Sequence, residues 1–348
     1  MTDVPTPAAL GFRMPAEWEP HAATWLTWPR PEGISFPDIY DRIPPVYAKL
    51  IQALTPHEDV SINVWNEECE NEARELLRQN GAALDRVRFH HHQAYEPWCR
   101  DHGPIFVRND ETGERAVTDW DYNAWGGKYP PYDLDNQVPG RIAGLRDLRC
   151  FVPGMVLEGG SIDVNGRGTL LTTESCLLNP NRNPGLSRAE IEERLKAFLG
   201  VTKILWLGDG IVGDDTDGHV DDLTRFIGPG TIATVVEEDP VDANYAALQD
   251  NLERLQSMTD QDGEPFRIVQ LPMPDPVFHR GERLPASYAN FYIANGTVIV
   301  PTYRCVNDSW AIGILQAALP DREVVGIDST DLAWGFGSFH CITQQEPV

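Results

Sequence analysis

The 348-residue chain is short of positive charge: 28 lysines and arginines stand against 53 aspartates and glutamates, a formal net charge of −25. That balance argues against nucleic acid or an anionic membrane surface as a partner, because both recruit surplus cations, and it favours a cationic ligand. Long apolar runs are also missing. No stretch approaches the roughly 18 to 20 continuous apolar residues of a membrane span, and Met1 to Leu10 lacks the basic-then-apolar order of a signal peptide, so a cytosolic protein is expected. Cysteine is sparse and scattered. Cys69, Cys99, Cys150, Cys176, Cys305 and Cys341 form no C-x-x-C pair, which removes a zinc ribbon or disulfide framework and leaves most of them as expected small buried hydrophobes. Length alone allows one to three domains, and nothing in composition divides them.

What the sequence does have is one dense polar stretch. Gly213-Asp214-Asp215-Thr216-Asp217-Gly218-His219-Val220-Asp221-Asp222 sets carboxylates and a histidine ahead of a strand-like run, Leu223 to Ile227. A strand beginning at about His219 would put His219 and Asp221 on one face and Val220 on the other. A calcium loop built around Gly218 fails at both ends: its first position is Gly213, and Thr224 stands where a bidentate Glu is needed. The triplet His90-His91-His92 is no better as a metal site, since consecutive strand residues face opposite ways.

Similar hairpins recur along the chain. After a Pro- and Ala-rich segment, residues 1–20, expected to be extended, Ala22 to Trp28 reads as a short strand stopped by Pro29. Asp41 to Leu54 reads as a helix with Pro44 and Pro45 in its first turn, Val60 to Trp65 as a strand, Glu67 to Asn80 as a helix and Arg86 to His91 as a strand. Then Ile105 to Val107 and Arg115 to Trp120, Ser161 to Val164 and Thr169 to Thr172, Leu223 to Ile227 and Thr231 to Val236, and Phe291 to Ala294 and Thr297 to Val300 each form a strand pair around a turn. Helices follow the last three pairs: one opened by the capping box Ser187-x-x-Glu190, one over Asp242 to Met258, and one over Asp308 to Ala318. Each leads to a further strand, at Lys203 to Leu207, Phe266 to Leu271 and Glu323 to Ile327. The unit is ββαβ, and a polar group stands at each hairpin's mouth: Asp101, Glu158, His219 with Asp221, and Asn290. The last mouth, Cys341, lies seven residues from the end at Val348, so its hairpin lacks a second strand. The strand Ala22 to Trp28 lacks a partner, and the two together complete a module and would close a ring.

A ring of this kind would gather Asp101, Glu158, His219, Asp221 and Cys341 at its centre. A thiol, an imidazole and carboxylates make a nucleophile, a general acid and base, and a clamp for a planar cation. Guanidinium suits such a clamp, because its five N–H donors form a fixed fork that carboxylates match bidentately. No cofactor and no metal are required. A metal hydrolase using His219, Asp221 and Asp101, and a non-catalytic binder of polyamines or guanidines, stand as alternatives.

The segments WCRDHGP (98–104), EGGSIDVNGRGTLLTTESCLLNPNRNP (158–184), GDDTDGHVDD (213–222), ASYANFYIANGTVIVP (286–301) and FHCITQQEP (339–347) resemble the agmatine deiminase family. The resemblance runs in order from about Phe12 to Pro347. It implies the fold of the guanidino-modifying superfamily, a five-bladed α/β-propeller of ββαβ modules with pseudo-five-fold symmetry (the pentein fold), here a single catalytic domain over residues 1–348. It also implies Cys341 as nucleophile, His219 as acid and base, Asp101 and Asp221 as guanidinium ligands, and Glu158 pairing with the guanidinium and orienting His219, with Trp98 and Asp215 as further substrate contacts. Agmatine would give N-carbamoylputrescine and ammonia through an S-amidino thioether, a step of putrescine biosynthesis. The expected partner is a small cationic guanidine, and a homo-oligomer is compatible with this. The loop Gly335-Phe336-Gly337-Ser338-Phe339 departs from the family's triple glycine and Asn-Ile ahead of His-Cys, and Cys99 is unexpected between Trp98 and Arg100. These departures leave open how the tail of the substrate is held. Asp214 or Asp215 would serve an amine, and Arg13 or Arg182 would serve the carboxylate of an arginine-type or peptidylarginine-type substrate.

Overall fold

In the computed structural model, residues 5–348 are described. Of the segment expected to be extended, residues 1–4 lie outside that range. The rest is irregular, with a 3-10 turn at Ala8–Leu10 and a two-residue strand, Phe12–Arg13, that pairs antiparallel with Asn109 and Arg108.

The hairpins form because β-branched runs alternate with tight turns. Thr231–Val236 is almost wholly β-branched, and it pairs antiparallel with Thr224–Gly228 on one side and parallel with Arg267–Pro272 on the other. A parallel neighbour requires a crossover, which the helix Tyr245–Ser257 supplies. The same plan joins Asp163–Val164, Thr169–Thr173 and Lys203–Leu207 through the helix Arg188–Leu199. It joins Tyr292–Ile293, Thr297–Thr302 and Glu323–Asp328 through Asn307–Ala318. It also joins Ile105–Asn109, Arg115–Thr118 and Arg149–Phe151 through Val138–Arg146, a helix and strand that the sequence pattern did not announce.

The fifth sheet uses both ends of the chain. Thr343–Pro347 pairs antiparallel with His21–Thr27, which runs parallel to Asp59–Asn63, itself parallel to Val87–His90. The partnership expected between the orphan strand and the residues after Cys341 is therefore observed. Each of these sheets is open among the described residues. A separate small hairpin, Phe278–His279 with Glu282–Arg283, was not expected.

One expectation is corrected. No strand begins at His219; Val220–Asp222 is a 3-10 turn, and the strand starts at Thr224. The cause is local: Asp214 Oδ2 and Thr216 Oγ1 accept the His219 backbone N–H, which a ladder would otherwise use. His219 and Asp221 are thus set by a turn.

Helices pack one face onto the sheets. Ile43–Leu54 buries Val46, Tyr47, Leu50, Ile51 and Leu54 against Ile62, Ile299 and Ile342, and each such side chain is worth about 1.5–3 kcal/mol of burial. Phe339, Cys341 and Trp98 belong to the same apolar cluster. The nucleophile candidate is therefore seated on rigid core rather than on a free tail. No helix among the described residues is long and apolar enough to cross a membrane.

Candidate active site

The loops that precede the hairpins meet. Asp101 lies in the short helix Cys99–His102, where its Oδ1 accepts the Gly160 N–H at 3.0 Å and its Oδ2 accepts the Trp125 indole N–H at 2.9 Å. Gly160 is a glycine for reasons of space: a Cβ there would fall 2.6 Å from His219 Nδ1, 2.8 Å from Asp101 Oδ1 and 3.1 Å from Asp221 Oδ2. Three of the predicted groups therefore crowd one point. Gly159 is as constrained, since its Cβ would meet the Arg100 carbonyl at 2.3 Å.

His219 is fully buried, its Nδ1 3.7 Å from Asp101 Oδ1, and neither ring nitrogen has a hydrogen-bond partner among the described residues. Glu158 accepts the Arg182 Nε–H at 2.6 Å through Oε1 while its Oε2 is unpartnered. Asp221 Oδ2 is 2.6 Å from His340 Nδ1 and 3.7 Å from Cys341 Sγ, and its Oδ1 is also unpartnered. Asn290 Nδ2 donates to Cys341 Sγ at 3.1 Å and to Asp222 Oδ1 at 3.0 Å. Buried polar atoms without partners are costly, and the free carboxylate oxygens of Glu158 and Asp221 within one site mark where a donor-rich ligand belongs.

Burial sets the charges first. It pushes the Cys341 thiol well above its usual range, and Asp221, Asp222 and Asp101 push it further. Burial also raises the Asp101 carboxyl to about 6, helped by Asp221 and Glu158 and opposed by His219 and the Trp125 hydrogen bond. For His219, burial disfavours the imidazolium, but Asp101, Cys176 and Asp221 outweigh it and lift the imidazole well above its ordinary value. Burial works against the Asp221 carboxylate too, yet His340, His219 and Arg225 hold it below the usual range. Without a bound cation the thiol is neutral.

A cavity opens at Asp101 and Cys341. Trp98, Trp125, Tyr129 and Phe336 line it, together with Ser35, Ile34, Gly335, Asp215 and Thr216. Aromatic faces suit both a guanidinium and an alkyl chain. Two of the walls are held in the left-handed region, Trp125 at φ 55° and Phe336 at φ 66°, which is uncommon for bulky residues and tends to collect at functional sites. Among the described residues that line the cavity there is no lysine or arginine.

The structure sorts the candidates for the far end. Asp215 lines the cavity, where the Tyr129 hydroxyl donates to its Oδ2 and Lys128 Nζ donates to its carbonyl and lies 3.5 Å from its Oδ1. Asp214 is spent on Thr216 and the His219 backbone. Arg13 is paired with Glu19 and Asp110 away from the cavity, and Arg182 is buried between Glu158, Asp217 and the Thr216 carbonyl. Neither arginine is available to a substrate carboxylate. Trp98 is a wall, its indole N–H donating to Ser35 Oγ. The donor atoms of Glu158, Cys176 and His219 lie within 4.8 Å of one another, a set that contains neither Asp101 nor Asp221 of the metal-hydrolase alternative. All six cysteines are free. Sequence reasoning missed Trp125, Tyr129, His340 and Glu17, of which only His340, next to Cys341, carried a positional signal; Phe336 lies in the loop 335–339 whose departure from the family pattern points to the tail of the substrate.

The family model described as Porphyromonas-type peptidyl-arginine deiminase matches residues 13–347. An agmatine deiminase of Pseudomonas fluorescens (strain SBW25) is 40% identical over 367 residues, covering 99% of this chain and 97% of that protein. An agmatine deiminase of Medicago truncatula is 38% identical over 376 residues, covering 99% and 98%. The solved agmatine deiminase of Enterococcus faecalis matches with a TM-score of 0.92 at 37% identity, covering 99% of this chain and 98% of that one.

Proposed function

The chain belongs to the agmatine deiminase family, and from that premise we propose that it hydrolyses agmatine to N-carbamoylputrescine and ammonia. Asp101, Asp221 and Glu158 take the guanidinium, whose N–H fork answers the acceptors left without donors. The bound cation offsets the carboxylates that keep Cys341 neutral and favours the thiolate. Sγ then adds to the central guanidinium carbon, His219 gives its proton to the departing nitrogen, and the C–N bond breaks to release ammonia. An amidino group is left as a thioether on Cys341. Water adds to the same carbon as His219 takes its proton, the C–S bond breaks to return the thiolate, and the ureido product leaves.

The observation that carries agmatine over arginine is the cavity lining. It includes Asp215 and neither lysine nor arginine, which suits a far amine and offers nothing to an α-carboxylate. Trp98 and the other aromatic walls cover the butyl chain. We take the five ββαβ modules to be blades of one propeller with pseudo-five-fold symmetry, the pentein fold, in a single catalytic domain; the convergence of one mouth from each module supports this. Free cysteines and the charge of −25 support a cytosolic enzyme with a small cationic partner and no nucleic acid. A homo-oligomer is compatible with this.

The test is ammonia and ureido formation from agmatine, with arginine, peptidylarginine and simple guanidines alongside and Cys341→Ser as control. Agmatine turnover that vanishes in the variant is expected, with arginine at least tenfold poorer in kcat/KM. Release from another guanidine but not agmatine would keep the chemistry and move the substrate. Silence from all of them in a folded protein would favour the binder.

A further inference from the structure

His340 stands beside the nucleophile but the mechanism above gives it no part. It is 2% exposed, and each ring nitrogen faces a carboxylate: Nδ1 lies 2.6 Å from Asp221 Oδ2 and Nε2 lies 2.8 Å from Glu17 Oε2. Glu17 arrives from the N-terminal segment, more than three hundred residues away in sequence. It is held from several sides, by Arg225 Nη2 at 2.8 Å, Arg100 Nη2 at 3.1 Å and the Ile293 backbone N–H at 2.8 Å. The backbone of His340 is pinned as well, since Asn290 accepts its N–H at 3.0 Å through Oδ1. A ring fixed at both nitrogens and at its backbone cannot swing. Asp221 is thereby tied at one oxygen only, and Oδ1 remains a free acceptor in the buried centre.

We infer that His340, backed by Glu17, is a positioning residue for the guanidinium clamp, holding Asp221 by Oδ2 so that Oδ1 is presented to the substrate. The inference rests on the guanidine reading of the site. Two further observations agree. Asp101, Asp214 and Asp222 are all buried carboxyls shifted toward the neutral acid, whereas Asp221 is shifted the other way with His340 foremost among the favourable influences. His340 thus selects which of several crowded acids keeps its charge. The same Oδ2 lies 3.7 Å from Cys341 Sγ, so its tether also limits how closely the carboxylate approaches the nucleophile.

Two isosteric variants separate positioning from mere support. In His340→Asn the amide nitrogen stands near the place of Nδ1 and keeps the donor to Asp221 while losing Glu17; in His340→Gln it stands near the place of Nε2 and does the reverse. With agmatine, His340→Asn is expected to hold KM within about threefold of the parent, and His340→Gln to raise it tenfold or more with a smaller change in kcat. Similar losses of thermal stability are expected, since each variant forfeits one carboxylate contact. Equal KM changes in the two variants, or an unchanged KM in His340→Gln, would overturn the inference. Alkylation of Cys341 by cationic 2-chloroacetamidine relative to neutral iodoacetamide separates this from failure of the functional reading. A parent enzyme with no preference for the cation sinks the clamp itself, whereas a preference that survives in His340→Gln sinks only the role of His340. Should either variant not fold, the Cys341→Ser protein labelled with ¹⁵N-histidine replaces it: the His340 ring resonances should shift on saturation with guanidinium, and resonances that do not move would overturn the assignment.

Discussion

The reaction proposed above sets Asp101 two tasks that pull on one proton. It must be a carboxylate to hold a guanidinium, yet burial beside Asp221 and Glu158 raises its carboxyl to about 6. The Trp125 indole, donating at 2.9 Å, is one of the influences that bring it down. The free enzyme therefore loses this ligand as pH falls through about 6, and kcat/KM for agmatine should fall on the same limb. Trp125→Phe keeps an aromatic wall and removes the donor. The acid form then persists to higher pH, so the limb should move upward, with a larger loss of kcat/KM at pH 6 than at pH 8. A pH profile parallel to that of the parent would mean that Trp125 acts only as a wall. The positive φ of 55° at Trp125 bears on the same point, because that backbone conformation is tolerated where the indole is brought to Asp101.

Secondary elements repeat a single unit, and the unit was readable wherever period and punctuation agreed. The helix Arg188–Leu199 shows this: Ser187 Oγ accepts the Glu190 N–H and Glu190 Oε2 accepts the Ser187 N–H at 2.8 Å, closing the box expected from Ser-x-x-Glu, and Gly200 ends the helix in the left-handed region. Ser187→Ala should cost about 1 kcal/mol, measured as a lower urea midpoint with unchanged m-value, while kcat stays the same because this helix contributes nothing to the cavity lining. The helix Val138–Arg146 escaped notice for a physical reason. With Pro139, Gly140 and Gly144 inside it, it has weak intrinsic propensity, and it is held by burying Val138, Ile142 and Ala143. The turn at Val220–Asp222 escaped because alternation alone cannot report that Asp214 and Thr216 take the His219 N–H. Cys341, His219, Glu158, Asp101 and Asp221 could be picked out because each stands at the mouth of a repeated hairpin. Glu17 could not, as a lone glutamate in a Pro- and Ala-rich segment gives no hint that it will meet Arg100, Arg225 and His340.

At the scale of the molecule, the two ends of the chain are one structural element. Thr343–Pro347 lies on His21–Thr27, and Cys341 sits only two residues ahead of that strand, so whatever anchors the strand anchors the proposed nucleophile. Main-chain pairing is one anchor and Glu346 is the other. Buried at 2% exposure, its carboxylate takes Trp25 Nε1 at 2.8 Å within the same sheet, and Arg115 Nη1 at 2.8 Å and Arg146 Nη2 at 3.0 Å from the neighbouring module. Glu346→Ala leaves the Trp25 indole N–H without its acceptor and takes the carboxylate from two guanidinium groups, which keep only the Pro347 carbonyl (Arg115) and Ser61 Oγ (Arg146). Breaking a fully buried pair costs about 3–5 kcal/mol, and because both arginines keep part of their side chains in water the loss here should be nearer about 2–3 kcal/mol. Glu346→Gln, which keeps a neutral acceptor, should recover part of it. Thermal unfolding gives the size of the effect, and activity gives its location: the temperature at which agmatine turnover collapses should fall together with Tm, because the strand that Glu346 secures leads directly from Cys341. A Glu346→Ala protein whose Tm stays within about 1 °C of the parent would mean that main-chain pairing with His21–Thr27 suffices to hold the segment that carries Cys341.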